Sequence, residues 1–267
     1  INVFEIVDLL QAYGVKAIYP LSINGNRLLE VHGQRFYLTE WFDGLPLGVD
    51  DVTEHHCQTI GRQLSIIHNI DVRGSQTVSV PFNIDLDHYV KHCSEVSPVL
   101  SEILNETAEL IRKIIDRRNK AVRKLLSVQT LCLNDHGMKN VLWSKDDLRI
   151  INTDPISYGN PYQELLSCAL HWAGADYLNF RQELFQAFIS SYFSSSRLDS
   201  DVDWKDIYDS NTKHLSCLDR CLKEIIKEDI NEKEKETAVL KANGAINMII
   251  YFDKIRNSVL CSDIFAR

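Results

Sequence analysis

Asp135 and Asn140 stand in the stretch Leu131–Pro161, LCLNDHGMKNVLWSKDDLRIINTDPISYGNP, with the spacing D-x-x-x-x-N. That spacing suits phosphoryl transfer. An aspartate placed in this way can accept or orient the proton of an attacking hydroxyl, and an asparagine one loop turn later can offer its amide oxygen to a metal ion. Val141-Leu142-Trp143 then reads as a buried strand, Ser144 to Asp147 as a tight polar turn, and Leu148 to Ile151 as the return strand. The return strand delivers Asn152, with Asp154 two residues on in the same loop, and Asn152 stands where a metal-binding carboxylate is expected. A hairpin that holds two polar loops side by side is a place for a metal-phosphate group.

Plainer roles compete for the same residues. Asp135 could be a turn residue, Asn140 a hydrogen-bonder of its own loop, and Asn152 and Asp154 loop anchors. Lys139 reads as solvent-exposed, and His136 as a loop or substrate-facing residue rather than a base. His55, His56 and Cys57 cluster at a polar helix start without a partner pair at zinc-like spacing. Cys217 and Cys221, one helical turn apart, read as two small core residues on one helix face.

The elements that must position these residues follow from periodicity. Ile1 to Tyr13 is an amphipathic helix closed by Gly14, with Glu5 and Asp8 on its polar side. Ala17 to Leu21 reads as a strand, Asn24-Gly25-Asn26 as a turn, and Leu28 to Val31 and Arg35 to Phe42 as strands joined at His32-Gly33. The last of these, RFYLTEWF, is nearly continuous in apolar character and is expected to be a central strand. Asp43 to Asp51, with two glycines and a proline, reads as a linker. Beyond it the chain is mostly helical: Thr53 caps a helix to about Asn69, and Asp71 to Asp85 is loop. Asp87 to Gln129 is helical with a break at Ser97-Pro98, and Tyr162 to Gly174 and Phe180 to Phe193 follow. Asp199 to Asp209 is an acidic loop, and Lys213 to Ile230 and Lys233 to Asp253 are helices. The basic set Arg112, Lys113, Arg117, Arg118, Lys120, Arg123 and Lys124 reads as a solvated face, with phosphate contact as the lesser alternative.

The 267 residues suffice for one large domain or two lobes. A net charge of −8 argues against a nucleic-acid partner and suits a cationic small molecule. Seven cysteines without framework spacing point to free thiols in a reducing cytoplasm. No apolar run approaches the roughly 18 residues of a membrane span.

Several motifs, in order, resemble the aminoglycoside phosphotransferase and choline-kinase-like family. They are Cys132, Asp135, Asn140-Val141-Leu142-Trp143, Ile150-Ile151, Asp154, Gly159-Asn160-Pro161 and Glu164-Leu165. Upstream, Phe36-Tyr37-Leu38 through Phe42-Asp43-Gly44 and Ile60-Gly61 to Ile67-His68 extend the likeness. The resemblance implies an α+β, protein-kinase-like two-lobe fold, with a partial N-terminal β lobe over 1–43 and a large, mostly helical C-terminal lobe over 44–267. It implies transfer of the terminal phosphate of ATP (or GTP), with Mg2+, to a hydroxyl of an aminoglycoside-like or other amino-alcohol acceptor. Asp135 would be the catalytic base, and Asn140, Asn152 and Asp154 the metal ligands. Backbone from Glu40 through Trp41, Phe42 and Asp43 would meet the adenine, with Trp41 and Phe42 as core or hinge apolar residues. Glu5 falls where the family's helix glutamate would be.

The chain departs from the pattern at Leu133, where the family has histidine, and at Asn152, where it has aspartate. A phosphate-covering loop and a strand lysine are expected upstream of Ile1, or else the protein lacks them. These departures define a second expectation, a catalytically impaired pseudokinase that binds nucleotide or a partner. A third is an unrelated fold, which a structure without the 141–151 hairpin would establish.

Overall fold

The structure, a computed structural model, describes residues 3–71, 80–125, 127–135, 137–145, 147–152, 156–227, 229 and 231–262. Asp154 and His136 therefore lie outside the described residues, as do Asp146 of the expected turn, the segment 72–79 and Ile230.

The expected hairpin is present. β5 (Val141–Ser144) pairs antiparallel with β6 (Asp147–Ile150), from Val141↔Ile150 to Ser144↔Asp147. Its burial alternates, with Val141, Trp143, Leu148 and Ile150 buried, as a sheet with one covered face requires. The linker does not hang free: its β3 (Leu45–Pro46) pairs with β5 through Leu45↔Trp143 and completes a three-stranded sheet. On the other side, Ile18 N–H donates to the Ile150 carbonyl and Ile150 N–H to the Lys16 carbonyl. The segment expected as a strand over Ala17–Leu21 is thus extended, but it forms only isolated bridges, Ala17↔Ile150 and Pro20↔Thr39.

The N-terminal portion corrects one expectation. α1 (Val3–Ala12) is followed by β1 (Leu29–Val31) and β2 (Gln34–Phe36), a two-stranded hairpin. His32 and Gly33 both have positive φ at its turn, the geometry that two-residue hairpins favour. RFYLTEWF is not a central strand: regular pairing ends at Phe36, and Tyr37, Leu38 and Trp41 are exposed. Central position needs partners on both edges, and β2 pairs with β1 alone.

Residues Ile1–Gln76 and Ser127–Ser200 form one compact unit, which holds both hairpins. Its helices are α2 (Glu54–His68), α5 (Pro161–Trp172) and α6 (Gln182–Phe193). Thr53 caps α2 as expected, in a capping box closed by His56, so His56 works on the helix start. α2 packs closely on α6, and a Cβ at Gly61 would stand 2.5 Å from the Phe188 carbonyl oxygen. β4 (Thr130–Cys132) pairs with β7 (Ser157–Gly159), which sets the chain entering Asp135 beside the start of α5.

Residues Thr77–Leu126 and Asp201–Arg267 form a second unit. It contains α3 (Leu86–Val96), α4 (Pro98–Val122), α8 (Lys213–Ile225) and α9 (Glu232–Leu260) around a leucine- and isoleucine-rich core, together with α7 (Trp204–Asp209). The break at Ser97-Pro98 has its cause in capping: the Ser97 side chain accepts from Leu100 N–H and Pro98 opens α4. The acidic stretch is not all loop. Asp203 caps α7, whose Asp209 takes a two-pronged bond from Arg256 at 2.7 Å on each arm. Four of the seven basic residues on and just after α4 have local partners, Arg112 on Asp87, Arg117 on Asp253, Arg118 on the Val80 carbonyl and Lys124 on Asp206. Cys221 is buried and Cys217 half-buried on α8, as core residues, and all seven cysteines are free thiols. Among the described residues no helix is long and apolar enough to cross a membrane.

Candidate functional site

The loop between β4 and β5 carries Asp135 and Asn140. It turns through a short 3-10 helix, Met138–Asn140, closed by a bond from Asn140 N–H to the Gly137 carbonyl. Asn140 is buried, and its Nδ2 donates to the Asp135 carbonyl at 3.3 Å, which ties the two ends of the D-x-x-x-x-N stretch together. The amide oxygen is the atom this leaves for a cation. Ile151 N–H donates to the Asn140 carbonyl at 3.0 Å, so the second loop starts against the first. Because Val141 and Ile150 are partners, Asn140 and Asn152 emerge at the same open end of the hairpin. The structure therefore brings Asp135, Asn140 and Asn152 to one end of one sheet.

The Asp135 carboxyl is partly exposed, with Lys139 Nζ 3.9 Å from its Oδ2. That distance across an exposed pair is a weak attraction, in keeping with the solvent-facing reading of Lys139. The donors offered by Asn140 and Asn152 are oxygens, the atom type a hard divalent cation takes, but both are neutral. Of the residues expected near adenine, Glu40 and Asp43 are exposed and Phe42 is half-buried under the Arg149 guanidinium, 5.0 Å from the ring centre. Trp41 is 90% exposed, so it is not a core residue. Lys16 lies beside β6, its carbonyl accepting Ile150 N–H. Its Nζ bonds Asp147 at 2.6 Å and its N–H bonds Gln63 at 2.7 Å. With Arg149 also on Asp147, these bonds, Lys16 first, hold the Asp147 carboxyl down at about 2.

The sequence reading missed what holds the loop. Glu164, in the first turn of α5, accepts Leu133 N–H at 3.1 Å on Oε2 and Asn134 N–H at 2.6 Å on Oε1. Asn134 needs such support, because its φ of +60° lies in the left-handed region. His68, at the end of α2, bonds Glu164 Oε2 through Nε2 at 2.8 Å and Tyr192 of α6 through Nδ1 at 2.7 Å. Since the Glu164 oxygens act as acceptors, His68 donates to them from Nε2, and its Nδ1 shares a hydrogen bond with the Tyr192 hydroxyl. Leu133 thus contributes packing and a backbone N–H where the family motif has histidine.

His68, Cys132 and Glu164 bring potential metal-ligating atoms within 4.8 Å of one another, all buried. Their chemistry is that of a brace. Burial, and next the Glu164 charge, push the Cys132 thiol well up, away from the thiolate a metal would need, while Glu164 already serves two backbone donors.

A model of the phosphotransferase enzyme family matches residues 2–198. No curated protein matches the chain. Among solved structures, the chain is similar to a spectinomycin phosphotransferase in complex with ADP and spectinomycin, at 13% identity and TM-score 0.68 over 94% of this chain and 82% of that one. It is also similar to an aminoglycoside phosphotransferase from Alicyclobacillus acidocaldarius, at 11% identity and TM-score 0.60 over 96% and 83%. A choline kinase from Streptococcus pneumoniae matches at 18% identity and TM-score 0.52 over 92% and 81%. At these identities the structures carry the fold, which is the α+β, kinase-like one that the motif order implied, and the family match carries membership. With 2–198 matched and the D-x-x-x-x-N loop set on its hairpin, the chain belongs to the phosphotransferase enzyme family.

Proposed function

We propose that the chain is a small-molecule kinase, moving the terminal phosphate of ATP to a hydroxyl of an amino-alcohol or aminoglycoside-like acceptor. The carrying observation is the loop itself: Asp135 is partly exposed on a backbone fixed by Glu164, while Asn140 is buried and locked to the Asp135 carbonyl. A carboxylate held on a rigid loop at the mouth of a hairpin can orient an acceptor hydroxyl and take its proton. Asn140 and Asn152 would hold a divalent cation through their amide oxygens, with Asp154 as a third ligand. Such a cation, when bound, supplies charge neutralisation on the phosphates. The adenine would meet backbone between Glu40 and Asp43, on the segment that runs into β3 and is pinned to Trp143. The portion 1–43 would then serve the nucleotide and 44–267 the acceptor. The net charge of −8 suits a cationic acceptor.

One observation favours a second reading. Asn152 offers a neutral oxygen where a carboxylate would bind Mg2+ more strongly, which suits a nucleotide-binding module without turnover. Mass spectrometry of reactions with Mg·ATP and choline, ethanolamine or spectinomycin separates the two. A singly phosphorylated acceptor is the expected result. Binding of ATP without product from any acceptor, under Mg2+ or Mn2+, would support the module.

A further inference from the structure

Glu164 and His171 are seven residues apart on α5, two helical turns, and so lie on one face of that helix. Glu164 takes the backbone N–H groups of Leu133 and Asn134, before Asp135. His171 takes the next anchor point after it: Met138 N–H donates to His171 Nε2 at 3.2 Å. Met138 opens the 3-10 turn, where the first N–H groups have no partner within the turn, and the imidazole supplies one. The Asp135 segment is thus hung between two points of a single helix. Gly137 is close to both the ring and the carboxylate: a Cβ there would stand 3.6 Å from Asp135 Oδ1 and 3.7 Å from His171 Nε2.

The ring is set by a third residue. α5 is capped by Ala173 and followed by Gly174, whose φ of +84° turns the chain back, and the 3-10 turn that follows, Ala175–Tyr177, places Asp176 against the ring. Asp176 Oδ2 lies 2.8 Å from His171 Nδ1, and both side chains are mostly buried. A backbone N–H can only donate, so Nε2 must be the acceptor nitrogen and Nδ1 must carry the proton, directed at Asp176. The carboxylate therefore fixes both the tautomer and the plane of the ring.

We infer that His171, oriented by Asp176, is a positioning residue for the Asp135–Asn140 loop, holding it at Met138 as Glu164 holds it at Leu133 and Asn134. In this role neither residue acts on the reacting atoms directly. The catalytic part of this inference rests on the kinase reading, and the anchoring part does not.

The test uses His171→Phe, His171→Gln and Asp176→Ala. Glutamine can accept Met138 N–H through Oε1 and donate to Asp176 through Nε2, so it replaces both bonds; phenylalanine replaces neither. Amide hydrogen exchange at Met138 should speed up in His171→Phe, return towards wild type in His171→Gln, and speed up to a smaller degree in Asp176→Ala. Where the wild type transfers phosphate, His171→Phe should lower kcat about 10- to 100-fold with little change in KM for ATP, and His171→Gln should recover most of it. Unchanged Met138 exchange in both His171→Phe and Asp176→Ala would overturn the inference. So would equal kcat losses in His171→Phe and His171→Gln. Loss of folding in His171→Phe leaves His171→Gln and Asp176→Ala to decide through the same exchange measurement. Absence of transfer by the wild type would count against the kinase reading alone, because the exchange result stands without turnover.

Discussion

His68 Nε2 lies 2.8 Å from Glu164 Oε2, with both side chains buried, and the same carboxylate accepts two backbone N–H groups of the Asp135 loop. A carboxylate with three donors around it is hard to replace. In Glu164→Gln a single oxygen must serve Leu133, Asn134 and His68, and at least one buried donor is left without an acceptor. That should cost about 1–3 kcal/mol in urea unfolding, with faster amide exchange at Leu133 or Asn134.

Asn152→Asp should tighten Mg2+ binding, because it restores an anionic oxygen at the open end of the hairpin. Titration of ATP turnover against Mg2+ should show a lower half-saturating concentration than wild type. If the natural chain shows no turnover and the variant does, the site is that of a decayed catalyst.

Asp147 ties the turn end of the hairpin to Lys16 and Arg149, and its pKa falls from the ordinary 3.8 to about 2, chiefly through the Lys16 hydrogen bond. A depressed carboxyl stabilises the fold above its unfolded-state pKa, and that contribution is lost as pH falls through the folded-state value. The stability lost in Asp147→Asn should therefore be full above about pH 4 and shrink towards pH 2. The pair is exposed, so the effect is small, within about 1 kcal/mol. Urea unfolding of both proteins across pH 2–6 checks the direction.

Gly61→Val should destabilise by about 1–3 kcal/mol, since even a Cβ there meets the Phe188 carbonyl oxygen at 2.5 Å. Thermal unfolding measures the loss, and Gly61→Ala should fall between wild type and valine.

Local patterns made much of this legible. The Val141–Ile150 hairpin, the Thr53 cap, the Ser97-Pro98 break and the His32-Gly33 turn are set within a few residues of chain, and the structure has each of them. RFYLTEWF was misleading because apolar content speaks to burial only when other strands are there to cover it, and β2 has a single neighbour. α7 was hidden in an acidic run whose Asp209 is neutralised by Arg256, 47 residues away in sequence. The braces of the site were hidden for the same reason. Glu164 stood out as part of a motif, but its bonds to residues 133 and 134 cross about 30 positions of chain. The seven-residue spacing of Glu164 and His171 on a helix was the one visible trace of the second anchor.

Transfer of phosphate itself, compared in wild type and Asp135→Asn, tests the central claim most directly. The carboxyl is partly exposed and Lys139 Nζ stands 3.9 Å from it, so the substitution should leave the unfolding midpoint nearly unchanged. With Mg·ATP and an amino-alcohol acceptor, the wild type should give phosphorylated product, and Asp135→Asn should give it about 100- to 10,000-fold more slowly. Equal rates from the two proteins would contradict the assignment of Asp135 as the base.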